Sequence, residues 1–179
     1  MTPALRVEPM TRSTLPLANA PLPAFPVSGR AVPRLEEGVC RCEWDESAPA
    51  RMKQYPAEDY TDWLGDEGRQ VLLALTETGA CAGLLAVSAA WNGWGWIDCL
   101  YVHAPWRGRG AAEMLFRAAE AWARERRLIG LGLETQDINL PACRFYARMG
   151  MVLGGANGMV NRGFPEARGE TALYWYLPF

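Results

Sequence analysis

Between Ile97 and Leu115 the chain reads I-D-C-L-Y-V-H-A-P-W-R-G-R-G-A-A-E-M-L. An apolar run suited to a strand ends near Val102, a turn rich in Gly and Arg follows, and an amphipathic pattern starts at Ala111. This order constrains the fold strongly, because a strand must feed into a helix through a connection too short for anything but a turn. The junction also carries chemistry. The first N–H groups of a helix have no intrahelical partner, and together with the macrodipole they place about half a positive charge at its start. Arg107 and Arg109 add full charges, while Gly108 and Gly110 let the backbone approach an oxygen that a side chain would hold away. A turn of this kind suits the phosphate of a small molecule.

The remaining composition narrows the class of protein. With 179 residues, half of them apolar and 21% charged, the chain can bury one core of ordinary size. A net charge of −2 argues against a nucleic-acid partner, which calls for a basic face. Residues 1–26 hold Pro16, Pro21, Pro23 and Pro26, and are expected to form an irregular arm ahead of a single domain over 27–179. No apolar run is long enough to span a membrane, so no membrane partner is expected. Five cysteines, with Cys40-x-Cys42 lacking a second pair at zinc-site spacing, imply neither a disulfide framework nor a metal site and fit a reducing cytoplasm.

Strands are expected at 27–33, 39–45, 71–76, 82–90, 94–102, 129–134, 151–159 and 171–177, with hairpin turns at Thr78-Gly79 and Asn92-Gly93. A short helix is expected near 58–64. The spacing predicts a main helix over 111–127, with Ala111, Met114, Leu115, Ala118 and Trp122 as its apolar stripe. A second is predicted over 139–149, with Asn139 as N-cap, Pro141 in the first turn and Gly150 as the stop. The order implies an α+β fold, with a mixed, mostly antiparallel sheet of about six to seven strands flanked by two main helices. A C-terminal edge strand leaves monomer and homodimer both open.

Three phosphate-binding patterns compete for the turn. The G-x-x-x-x-G-K-[ST] string is absent. The dinucleotide pattern G-x-G-x-x-[GA] starts at Gly108 but meets Glu113 in the sixth place, where close packing needs Gly or Ala. The third, R-x-x-G-x-[GA], is met by Arg107, Gly110 and Ala112. Preceded by V-x-x-P-x from Val102, it resembles motif A of the GNAT superfamily of N-acetyltransferases. Asn139, Ala142, Tyr146 and Gly150 resemble a second segment of that superfamily. Leu133-Glu134-Thr135-Gln136-Asp137-Ile138-Asn139, Trp91-Asn92 and the terminal A-L-Y-W-Y-L-P-F are similar to its streptothricin acetyltransferase branch.

The resemblance implies a GNAT-like fold, acetyl-CoA as cofactor, and a primary amine of a small molecule as acceptor, a streptothricin-like or other aminated antibiotic among the candidates. It assigns the diphosphate to Arg107, Gly108, Arg109, Gly110, Ala111 and Ala112. The pantetheine arm falls to the exposed backbone at Leu100 and Val102, where the strand is expected to splay from its neighbour, and to Asn139. Tyr146 would protonate the leaving thiolate. An amine of pKa about 10.4 must lose a proton before attack, and a carboxylate can take it; Asp98 is the first candidate and Glu134 the second. Trp91, Asn92, Trp96 and Tyr174 are candidates for the acceptor, since aromatic faces attract cations.

The branch reads I-E-D-I where this chain has Ile97-Asp98-Cys99-Leu100, and D-T-M-L-Y where it has Asn157-Gly158-Met159-Val160-Asn161. Both changes remove negative charge that a lysyl cation on the acceptor would favour. Two further readings stay open on the sequence: a catalytically inert CoA-binding module, and a transferase acting on protein N-termini or lysines.

Overall fold

A computed structural model describes residues 4–47 and 49–179. Two compact units emerge, one of residues 1–23, 56–131 and 179, the other of residues 24–55 and 132–178.

The first unit opens with strand β1 (Leu5–Pro9) and a single-turn helix α1 (Leu15–Ala18). The tail expected to be irregular is therefore partly ordered, because β1 finds a partner far along the chain that local composition does not announce. Strand β2 (Phe25–Val27), β3 (Arg30–Glu36), β4 (Val39–Asp45) and β5 (Arg51–Lys53) belong to the second unit. The first unit resumes with β6 (Arg69–Thr76), β7 (Cys81–Ala89) and β8 (Gly95–Val102). Between β5 and β6 the expected helix near 58–64 shrinks to a 3-10 turn over Thr61–Trp63. Helix α2 (Ala111–Glu125) follows β8.

The order β1-β6-β7-β8 is antiparallel throughout, with Leu5 opposite Thr76, Leu73 opposite Leu84, and Leu84 opposite Tyr101. The long apolar run of β6 is explained by burial on both faces. Val71, Leu73 and Leu75 join Leu84, Ala86, Met10, Ala18 and Tyr60 in one cluster. The alternate residues turn to the opposite face, and α2 packs on β6, β7 and β8. Its buried residues are Ala111, Leu115, Phe116, Ala119, Trp122 and Ala123, whereas Met114 is 38% exposed. The stripe is thus rotated from the expected one. Phe116 takes the place of Met114 because a helix flanking a sheet buries a wider arc than a narrow seam.

In the second unit β9 (Gly130–Gln136), which begins at the end of the first, precedes helix α3 (Leu140–Arg148), β10 (Val152–Asn157) and β11 (Ala172–Pro178), with strand order β9-β11-β10. β3 and β4 pair as a hairpin, and β2 pairs with β5. The strand expected over 27–33 breaks at Gly29. A Cβ there would lie 1.9 Å from the Asp45 carbonyl oxygen and 2.7 Å from Leu140, so the chain passes this point only without a side chain. Asn139 caps α3, its Oδ1 accepting from the Ala142 N–H at 3.3 Å. After Gly150 the Met151 N–H returns to the Tyr146 carbonyl, closing the helix where the sequence predicts its end.

The expected α+β class, the mainly antiparallel pairing and the two main helices are present, and the sheet of seven strands lies within the expected six to seven, although it includes the unexpected β1 and leaves out the strands expected at 27–33 and 39–45. No helix among the described residues is long and apolar enough to cross a membrane. Leu84 is fully buried, so Leu84→Ala should lower unfolding free energy by about 2–5 kcal/mol in denaturant melts. Met114→Ala, at an exposed site, should change it by less than about 0.5 kcal/mol.

Candidate functional site

The turn after β8 is built by local bonds. The Trp106 N–H donates to the His103 carbonyl and the Arg107 N–H to the Ala104 carbonyl. Arg107 also folds back, its Nε donating to the Val102 carbonyl at 2.9 Å. Arg107 therefore fastens the turn to the strand end, and it engages a backbone acceptor that the sequence leaves for a ligand. Gly108 and Gly110 have φ of +70° and +84°, the left-handed region that favours glycine, and a Cβ on either would point into open space. Gly110 is the N-cap of α2, and no side chain caps the helix. The first intrahelical bond runs from the Met114 N–H to the Gly110 carbonyl. Arg109 is exposed beside these donors. Open glycine backbone, an uncapped helix start and an exposed guanidinium fit a bound phosphate on chemistry and on space.

Upstream, β8 carries Asp98, Leu100 and Val102. Opposite them, Ala86 pairs with Cys99 and Val87 with Ile97, so Asp98 is the extra residue of a β-bulge. A bulge re-aims one side chain out of the regular alternation. The Asp98 carboxylate accepts from Ser88 Oγ at 2.7 Å, across the ladder on β7. Asp98 is solvent-exposed as a residue, yet partial desolvation by the surrounding chain raises its pKa above the ordinary carboxylate range; Glu58 nearby adds to the rise, and the Ser88 bond and Arg69 oppose it. Ser88 and Glu58 are the residues that sequence reasoning misses. They lie 10 and 40 positions from Asp98, and only the β7–β8 register could have pointed to Ser88.

Trp91 and Asn92 stand at the tip of the β7–β8 hairpin, with Trp91 98% exposed, and Trp96 lies partly buried opposite Ser88. His103 is held below its usual pKa by burial and by the charge of Arg107.

The second unit carries the other candidates. Glu134, partly buried on β9, is pushed above the ordinary carboxylate range by burial, and a hydrogen bond from Tyr174 of β11 counters the rise. Gln136 Nε2 also donates to it, at 3.3 Å. Tyr174, expected on the acceptor side, is thus the direct partner of an expected proton acceptor. Asn139 and Tyr146 both lie on the α3 segment, and Tyr146 is 6% exposed with its ring edge-on to Phe145 at 5.5 Å. Because Asn139 uses Oδ1 as the cap, its Nδ2 is the group that can donate outward.

Comparison with known proteins bears on this arrangement. Residues 37–151 match the model of the acetyltransferase (GNAT) family. Over 171 residues the chain is 34% identical to streptothricin acetyltransferase A of Bacillus subtilis (strain 168), covering 95% of this chain and 98% of that protein. A structure from Bacillus anthracis str. Ames in complex with acetyl coenzyme A superposes with a TM-score of 0.91 and 26% identity, over 98% of this chain and all of that one. Nourseothricin acetyltransferase superposes with a TM-score of 0.83 and 26% identity, over 98% of both chains. A family match that includes the phosphate-type turn, together with likeness over nearly the full length, leads to one conclusion: the chain belongs to the GNAT acetyltransferase family.

Proposed function

We propose that this chain transfers the acetyl group of acetyl-CoA to a primary amine of a small molecule by direct attack. The observation that carries the reading is the uncapped start of α2 behind Gly108 and Gly110, with Arg109 beside it and Arg107 bracing it against Val102. These residues, with Ala111 and Ala112, would hold the diphosphate. The backbone at Leu100 and Val102 and the Asn139 Nδ2 would align the pantetheine arm. Val102 contributes through its N–H, because its carbonyl is already bonded to Arg107. When bound, acetyl-CoA supplies an acetyl group on a thiol leaving group of ordinary pKa about 8.5.

Asp98 is the preferred proton acceptor. The bulge sets it apart from the ladder, Ser88 orients it, and its raised pKa brings its basicity closer to that of the amine it must deprotonate. Glu134, with Tyr174 donating to it, is the second candidate. Tyr146 would give its hydroxyl proton to the departing sulfur. For the acceptor, the Bacillus subtilis relative is named for streptothricin, and this supports an aminated antibiotic as the first compound to test. Trp91, Asn92 and Trp96 would contribute to its binding.

Incubation with acetyl-CoA and a panel of streptothricin, aminoglycosides and polyamines should release thiol only when an amine is present, with the acetylated amine visible by mass spectrometry. Thiol release from no amine would reject the reading. Arg109→Glu and Gly110→Glu should each weaken CoA binding at least about tenfold in calorimetry, through like-charge repulsion and loss of the open turn; unchanged affinity would remove the turn from the site. Tyr146→Phe should lower kcat by about a hundredfold or more while CoA affinity changes little. Turnover should fall as pH drops through the raised Asp98 pKa. Ser88→Ala removes a bond that favours the charged form, so the acidic limb of the kcat/KM profile should move to higher pH. A limb that stays in place would take the role from Asp98.

A further inference from the structure

On the face of the first unit that turns away from α2, the ladder sets three polar residues in a row. Arg69 of β6 pairs with Ser88 of β7, and the Ser88 hydroxyl donates to the bulged Asp98 of β8 at 2.7 Å. Arg69 is the cation of this row, yet it is committed elsewhere. Its Nε donates to Asp66 at 2.7 Å, a second nitrogen donates to the Asp62 carbonyl at 3.0 Å, and the guanidinium lies over the Trp63 ring at 5.3 Å. Asp98 therefore has a hydroxyl to orient it, while the nearby guanidinium bonds to another acid.

A second acid is fixed beside the same place. Glu58 is exposed and forms no ion pair among the described residues. The chain next to it is pinned to Asn19. Asp59 accepts from Asn19 Nδ2 at 2.8 Å and from the Thr61 N–H at 2.9 Å, and the Tyr60 N–H donates to Asn19 Oδ1 at 3.0 Å. Tyr60, 2% exposed, then enters the cluster that holds Leu84 and Ala86, with Cys99 packed against it. Its hydroxyl meets no oxygen or nitrogen and rests against the thiol of Cys99, the chain neighbour of Asp98. A thiol is a weak acceptor, so the phenol keeps hydrogen-bonding capacity that this contact does not use. The charge of Glu58 is felt at Tyr60, Cys99 and Asp98 alike, which brackets it to this corner.

Buried hydroxyls are normally bonded, and like charges drawn together disfavour each other. Both departures fall at one corner. A group that carries a positive charge and several N–H donors relieves both, and an alkylammonium is such a group. We propose that Glu58 and Asp98 form the seat of the acceptor's ammonium group, with Glu58 as the specificity residue that holds the cation while Asp98, oriented by Ser88, takes its proton. One N–H bond breaks as an O–H bond forms on Asp98, and the neutral amine keeps the electron pair with which it attacks the acetyl carbon. The proposal rests on the acetyl-transfer reading above and adds Glu58 to its acceptor side.

Calorimetry on the full chain with CoA bound tests binding apart from turnover. At least one of streptothricin and spermidine should bind wild type, and should bind Glu58→Gln about fivefold or more weakly. Glu77→Gln removes an equal charge from the exposed β6–β7 turn of the same unit and should bind as wild type does. Binding of neither amine by wild type, an affinity that Glu58→Gln retains, or an equal loss in Glu77→Gln would overturn the proposal. Carbon-13 NMR gives the placement its own readout. The Asp98 carboxyl should titrate at lower pH in Glu58→Gln, because a neighbouring negative charge is gone; an unmoved titration would overturn the seat as well. Thiol release separates this inference from the reading beneath it. Glu58-dependent binding without thiol from either amine would keep the seat and reject acetyl transfer to it. Thiol release at equal KM in wild type and Glu58→Gln would keep the transfer and reject the seat.

Discussion

The β7–β8 ladder is the constraint on which the rest of the first unit depends. Its register places Ser88 across from the bulge and so turns Asp98 from an ordinary strand residue into a held carboxylate. The same ladder carries β8 to its end at Val102, where the carbonyl receives Arg107 and fixes how the chain enters the turn. From there the geometry of Gly110 sets the start of α2, and α2 in turn covers the strands from which the ladder is made. A shift of one residue in that register would send the side chains of β8 to the wrong face, and Asp98, the turn and the helix start would be misplaced together.

Much of this was legible in the sequence because it is local. Strand, turn and helix lie within 20 consecutive residues, and glycine positions, helix period and capping residues are read from neighbours. The same holds for α3, whose cap at Asn139 and stop at Gly150 follow from near neighbours. What escaped is what distant segments decide. The partner of β1 lies some 70 positions away, and nothing between Leu5 and Pro9 names it. Phe116 rather than Met114 faces the sheet because the sheet sets how wide an arc of the helix is buried. The break at Gly29 depends on Asp45 and Leu140, both remote in sequence. Ser88 and Glu58 gain meaning only through Asp98.

The two units treat charge differently. In the first, the arginines near the turn stand beside the uncapped start of α2, and the Glu58 charge disfavours ionisation of Asp98. In the second, buried acids are paired one by one with Lys53 and Arg30. Such buried pairs add little net stability, but removing one partner is costly because it strands the other charge. Their effect here is to hold the β10–β11 connection in a fixed shape, because Lys53 and Arg30 also donate to the Glu166 and Gly169 carbonyls.

The N-terminal strand has a consequence beyond its own residues. β1 lies along the edge of β6, a strand buried along nearly its whole length. As the outermost strand it is short, carries Arg6 and Glu8 on its surface and ends in Pro9, features that discourage another chain from pairing. If a protease removed the first ten residues, the apolar β6 would become the border, offering unsatisfied amides and carbonyls to any similar molecule. The leading strand thus covers the border of β6 with an edge poorly suited to further pairing, and Met10 just beyond it adds to the core that β6 shares.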